Sequence, residues 1–174
     1  MPDQIRIWRF VEETTRKVFE RYGYSEIRTP IMETYSLFNR AVGDGTDIID
    51  KEMYLLRTRQ ESADKEPLAL RPELTAPVVR AYLEHSLDKI RKFQKLYYIG
   101  SSFRHERPQK GRLRQFHQIG VEALGSDDYL LDIEVIDLAM TFLEAIGIKD
   151  AQLNLNSMPL ASEIWISRSR TLSS

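Results

Sequence analysis

Apolar residues recur at helical spacing near the start of the chain, at Ile7, Trp8, Val11, Val18, Phe19 and Tyr22. They predict an amphipathic helix over Gln4–Tyr22. Gly23 stands where a left-handed residue would close it. An extended stretch follows over Ser25–Arg28. Pro30 marks a strand end or sheet edge, because proline has no N–H to give to a ladder. Tyr35–Val42 predicts a short helix stopped by the turn Gly43-Asp44-Gly45. Met53–Arg57 and Leu68–Leu70 are strand candidates around a polar loop, as in a hairpin. Helical spacing returns over Ala76–Ser86, with Val78, Val79, Tyr82, Leu83 and Leu87 on one side. Thr75 is a candidate cap, and Pro77 is tolerated in the first turn.

In the second half, Lys92–Ile99 and Gln115–Ala123 read as strands by their aromatic and β-branched content. Asp127–Ile146 is the longest helix, with Leu131, Val135, Leu138, Phe142 and Ile146 inward. Asp127 and Asp128 suit its positive N-terminal end, and Gly147 ends it. Gln152–Asn156 alternates Leu153 and Leu155 with polar residues, as a half-buried strand does. Strands joined by hairpin-length loops and interleaved with helices indicate an α+β fold, an antiparallel sheet flanked by helices. The residues from Met158 onward hold five Ser and two Arg with no sustained period. Residues 1–157 are therefore read as one domain and 158–174 as a linker or scar.

Composition narrows the classes. The chain has 174 residues, is 42% hydrophobic and carries a formal charge of -1. That balance excludes a uniformly basic nucleic-acid coat and a disordered acidic tail. With no Cys, disulfides, thiolate metal sites and Cys nucleophiles are excluded from these residues. No apolar run reaches membrane-spanning length and no signal-peptide core follows Met1. The setting expected is cytoplasmic. The charge is unevenly spread. Lys89–Arg114 holds nine Lys or Arg and one acid, whereas Gln115–Asp150 holds eight acids and one base. The first block suits an anionic ligand; each block also suits a solvated face.

The segment Phe103–Glu122 carries the most chemistry. Arg104, Arg107, Lys110, Arg112 and Arg114 fall within eleven residues. The guanidinium forks of the four arginines match phosphate, and a loop between two strands can fold over a ligand on the sheet. Period-2 alternation puts Phe116, Gln118, Gly120 and Glu122 on one face and His117, Ile119, Val121 and Ala123 on the other, the core face. Phe116 offers a ring for a base. Gly120 leaves a hollow between Gln118 and Glu122 that suits a small polar molecule; alternatively it marks a bulge and these side chains face solvent. No Gly-rich phosphate loop competes. Upstream, Glu73 and Thr75 meet at a strand-to-helix junction. They could receive an ammonium, or simply cap the helix. His85, His105 and His117 show no zinc-like spacing, so no metal site is expected.

Phe103–Glu122 resembles the second signature motif of class II aminoacyl-tRNA synthetases, in the form found in histidyl-tRNA synthetases. Arg71–Ala76 resembles the amino-acid-binding segment of that family. Tyr22–Pro30, with the preceding helix, resembles its first motif, and Asp47–Tyr54 also fits. Leu74 and Pro77 stand where many members carry smaller residues. The resemblance implies part of a catalytic domain acting in a homodimer. In the full-length parent it implies activation of histidine with ATP, with Mg2+ accompanying the nucleotide, and transfer to tRNA(His). It implies that Arg104 is catalytic, binding the ATP α-phosphate and the histidine carboxylate. Glu106 would accept from the adenine amino group, Arg112 would hold the outer phosphates and Phe116 would stack on the adenine. Glu73, Thr75 and Gln118 would grip the α-amino group, and Glu122 would read the imidazole. The third motif and the anticodon-binding domain have no counterpart in these residues. The alternative is a non-catalytic relative, the regulatory subunit of ATP phosphoribosyltransferase, in which much of the second motif is lost; here that motif is intact.

Overall fold

The computed structural model describes residues 2–42, 52–57, 66–107, 109–155 and 170–171. Helix α1 (Pro2–Arg21) leads into strand β1 (Ser25–Glu26). Next come β2 (Met32–Thr34), α2 (Tyr35–Val42), β3 (Leu55–Leu56), β4 (Leu68–Leu70), α3 (Thr75–Glu84) and a four-residue helix α4 (Leu87–Ile90). The ten-residue strands β5 (Gln94–Phe103) and β6 (Gln115–Leu124) precede α5 (Leu130–Ala145). The short strands β7 (Asn154–Leu155) and β8 (Arg170–Thr171) pair antiparallel.

One sheet has the order β1-β5-β6 and a second the order β2-β4-β3. β5 and β6 run antiparallel from the pair Gln94–Leu124 to the pair Phe103–Gln115, so the expected pairing around the basic loop holds. The second sheet is antiparallel throughout, and β3–β4 is the expected hairpin. β1 joins β5 in parallel, which the long connection over residues 27–93 allows and a tight turn would not.

The helices form where the periodicity places them. α1 ends at Gly23 and α5 at Gly147, both with positive φ. In each case the next residue's N–H returns to the helix: Tyr24 to the Phe19 carbonyl and Ile148 to the Leu143 carbonyl. These are Schellman closures, which only a residue tolerant of the left-handed region makes cheaply. α5 starts later than expected. Asp128 sits outside it and accepts the Leu130 N–H at 3.0 Å. The sequence reading missed β2 and α4. It ended β5 at Ile99, although Gly100, Ser101 and Ser102 stay in the ladder. Their low β propensity is overridden by pairing with β6. The half-buried strand expected over 152–156 is shorter, and Leu155 is exposed. The turn at 43–45, residues 47–51, Asn156 and most of the tail lie outside the described residues.

Both faces of β5 are packed. On one face Tyr97 meets Val18 and Phe19 of α1, Tyr24, and Leu138 of α5, with Ile119, Val121 and Phe142 alongside. Phe19 makes edge contacts with Tyr97 (5.5 Å) and Phe142 (5.6 Å). Such pairs add about 0.5–1.5 kcal/mol each beyond area burial. On the other face Leu96 and Tyr98 meet Leu74 and Val78 of α3. Leu74 is thus a core residue, and Pro77 is buried beside it. Lys95 Nζ bonds the Glu134 carboxylate at 2.6 Å, pinning β5 to α5.

Candidate functional site

The β5–β6 hairpin presents the site. Arg104 leaves the end of β5, Phe116 and Gln118 lie at the start of β6, and the basic loop joins them. Arg104, Glu106, Arg112 and Phe116 line one cavity of about 610 Å³, together with Glu52 and His117. Arg104 Nε donates to the Pro72 carbonyl at 3.0 Å. Its Cζ lies 5.1 Å from the centre of the Phe116 ring. Among the described residues its two terminal nitrogens have no protein partner, so the fork is aimed and open. Glu106 accepts from Arg112 at 3.4 Å; Arg112 is mostly exposed and Glu106 is not. A contact of that length to an exposed Arg is weak and easily exchanged for a ligand.

The second group lies further along the same face. Gln118 Oε1 accepts from the Ser102 hydroxyl at 2.9 Å, which fixes the amide's orientation. Glu122 Oε1 accepts from the Tyr98 hydroxyl at 3.4 Å, and that hydroxyl lies 3.5 Å from Thr75 Oγ1. These are long for O–H···O bonds. Among the described residues no cation pairs with Glu122. Burial pushes its carboxyl above the usual range, with the Glu73 charge acting the same way and hydrogen bonds from Thr75 and Tyr98 opposing. Burial likewise raises the Tyr98 hydroxyl.

Three expectations change. The hollow over Gly120 is filled by Tyr98 from the paired strand: a Cβ at Gly120 would collide with the Tyr98 ring and hydroxyl. The missing side chain therefore admits Tyr98 to the floor of the site and is not itself a ligand seat. Thr75 does not cap α3, since it is already inside the helix. Glu73 caps instead, accepting the Thr75 N–H at 2.5 Å and the Ala76 N–H at 2.9 Å. Glu73 and Thr75 also line a mainly apolar hollow of about 790 Å³ beside Leu37, Val79 and Leu83. His117 is not a core residue. It is exposed on the α1 side of β6, its ring 4.4 Å from that of Trp8.

Sequence reasoning missed Tyr98, Ser102, Glu52 and the Pro72 carbonyl. Tyr98 was discoverable in principle, since a large residue opposite Gly in an antiparallel register fills the space left. The carbonyl carried no signal in residue type.

The family model for histidyl-tRNA synthetases matches residues 1–170. The chain belongs to the histidyl-tRNA synthetase family. It is 54% identical over 158 residues to a histidine–tRNA ligase of Moorella thermoacetica, covering 91% of this chain and 36% of that relative. The chain thus spans little more than a third of the curated relatives it matches. A structure of apo histidyl-tRNA synthetase from S. aureus is 35% identical with a TM-score of 0.67, over 86% of this chain and 33% of that one. A Bacillus halodurans protein described as an ATP phosphoribosyltransferase regulatory subunit/histidyl-tRNA synthetase is 26% identical, with a TM-score of 0.72 over 86% of this chain and 36% of that one. The high-identity relatives are ligases, so the regulatory alternative is not favoured. As a member of the histidyl-tRNA synthetase family, the chain has the partial antiparallel catalytic fold that its sequence implied.

Proposed function

We propose that this chain supplies the ATP and histidine half-sites of a histidine–tRNA ligase, whose full-length parent activates histidine to histidyl-adenylate and transfers it to tRNA(His). The observation that carries this is the convergence of Arg104, Glu106, Arg112 and Phe116 on one cavity. The Arg104 fork, held through Nε, meets the α-phosphate and the histidine carboxylate. It stabilises the charge that grows as pyrophosphate leaves. Phe116 stacks on the adenine while Glu106 accepts from its amino group. Arg112 swings from Glu106 to the outer phosphates. Gln118, Thr75 and Glu73 surround the α-ammonium, and Glu122 faces the imidazole. Mg2+ accompanies the nucleotide and offsets the charge of its phosphates. Exposed Ile5, Ile7, Trp8 and Phe10 on α1 support a homodimer built on the first-motif region. A cytoplasmic location follows from the same family reading; among the described residues no helix is long and apolar enough to cross a membrane.

Histidine-dependent ATP–pyrophosphate exchange by the full-length parent tests the reading. Exchange equally supported by other amino acids, or by none, would refute it. Binding of histidine, histidinol and a ring-modified histidine analogue to Glu122→Gln and Glu73→Gln separates the two carboxylates. Glu122→Gln should weaken ligands that keep the imidazole, and Glu73→Gln any ligand with a free α-ammonium.

A further inference from the structure

Arg71 is the most constrained charged residue of the described chain. Its side chain is 5% exposed. Nε donates to the Ser101 carbonyl of β5 at 2.8 Å. Nη1 donates to the Thr29 carbonyl at 2.8 Å, the Thr29 hydroxyl at 3.1 Å and the Pro30 carbonyl at 3.1 Å. Its main chain is held as well: the N–H donates to the Ile31 carbonyl and the carbonyl accepts the Phe103 N–H, each at 3.0 Å. Among the described residues no carboxylate pairs with it, although the Glu33 charge favours its ionised form against burial. A buried cation satisfied by backbone carbonyls and a hydroxyl sits where its geometry matters, because any lost bond leaves a buried charged donor unsatisfied. The strand makes room for it: a Cβ at Gly100 would lie 2.6 Å from Arg71 Nη2.

These bonds bracket Arg104. The residue before it, Phe103, is fixed by the Arg71 carbonyl. Its own Nε rests on the carbonyl of Pro72, the residue after Arg71. We propose that Arg71 is a positioning residue for Arg104, locking the Pro72 carbonyl and the end of β5 to the Thr29–Pro30 segment so that the Arg104 fork points into the cavity. The inference rests on the role proposed above for Arg104. The planar guanidinium is needed because its donors must reach β5 and Thr29–Pro30 at once; a lysine ammonium has the charge without the fork.

The test uses the full-length parent, with kcat and KM of pyrophosphate exchange measured separately for ATP and histidine. Arg71→Lys should lower kcat about a hundredfold, the scale of a misplaced catalytic group, with the histidine KM little changed. Gly100→Ala displaces the guanidinium without altering its charge and should lower kcat in the same way. On an Arg104→Ala background, neither change should cost anything further. Losses that multiply in the double variants would overturn the proposal, as would a lower folded fraction with unchanged kcat per folded molecule. If Arg71→Lys does not fold, Gly100→Ala on both backgrounds makes the same comparison. A readout free of activity completes the design: solvent exchange of the Arg104 Nε–H, followed by NMR, should be slow in wild type and fast in both variants. Unchanged protection would refute the positioning role. Absent exchange activity in the wild type would count against the functional reading alone, and the Nε–H measurement would still decide the role of Arg71.

Discussion

On the face of the β5–β6 ladder covered by α1 and α5, Tyr97, Ile119 and Val121 meet Phe19, Leu138 and Phe142 in close aromatic and aliphatic contact. On the opposite face the same two strands carry Tyr98, Ser102, Gln118 and Glu122, linked by hydrogen bonds of 2.9–3.4 Å. The first face is held by apolar contact around the fully buried Tyr97. The second leaves a half-buried carboxylate near another carboxylate, and an arginine fork with open donors. One ladder therefore separates two tasks. Alternation along each strand gives one side to apolar packing alone, while the other, packed around Leu96 and Tyr98, also carries unsatisfied polarity that a ligand can complete.

The contrast yields predictions that differ in which quantity moves. Phe19→Ala should be the largest in stability, about 3–5 kcal/mol, as expected for a buried aromatic at the centre of a packed face. Denaturant titration measures it, and a loss under 1 kcal/mol would mean the face is looser than its contacts imply. Arg104→Ala should leave the denaturation midpoint nearly unchanged yet raise the barrier to adenylate formation by about 3–4 kcal/mol. Pyrophosphate exchange within tenfold of wild type would remove Arg104 from its proposed role. Glu73→Ala is intermediate, because this residue caps α3 and also belongs to the proposed site. Losing its bonds to the start of α3 should cost about 1 kcal/mol of stability, read by thermal melting.

Glu122→Gln sharpens the comparison most finely. Burial raises the Glu122 carboxyl in the folded chain, so the folded state holds a proton that the unfolded state has already released. Stability attributable to that proton is present at low pH and fades as pH rises from the unfolded value through the raised folded one. The glutamine variant should therefore match wild type in acid and melt higher at neutral pH, while binding histidine less well. A variant less stable at neutral pH would show that the buried charge is compensated.

Much of this division was legible in the sequence. Period-2 alternation over 115–123 assigned Ile119 and Val121 to the core and Phe116, Gln118 and Glu122 to the other face, because strand geometry permits no other distribution. The helices followed from their apolar spacing and closing glycines. What the pattern could not convey was contact across strands. The seat expected at Gly120 is filled by Tyr98, twenty-two residues upstream, and only the register reveals it. Thr75 looked like a cap by residue type, but Glu73, two positions earlier, accepts the first two N–H groups of the helix, that of Thr75 included. His117 was assigned inward by alternation. It lies near the loop end of β6, beyond the reach of the helices apart from Trp8.

The hairpin also sets an order of assembly. Residues 94–145 form a contiguous run in which β5, β6 and α5 contact close neighbours in sequence. α1 and β1, by contrast, must be brought to Tyr97 across some seventy residues of intervening chain. Closing a longer loop costs more entropy, though only slowly with length, and local contacts form first. We expect amides of Tyr98, Ile119 and Val121 to gain exchange protection before those that close α1, with the Thr29–Pro30 segment docking on Arg71 late. The face that carries the candidate site would then be outlined early, and Arg104 would be the last part of it to be held still.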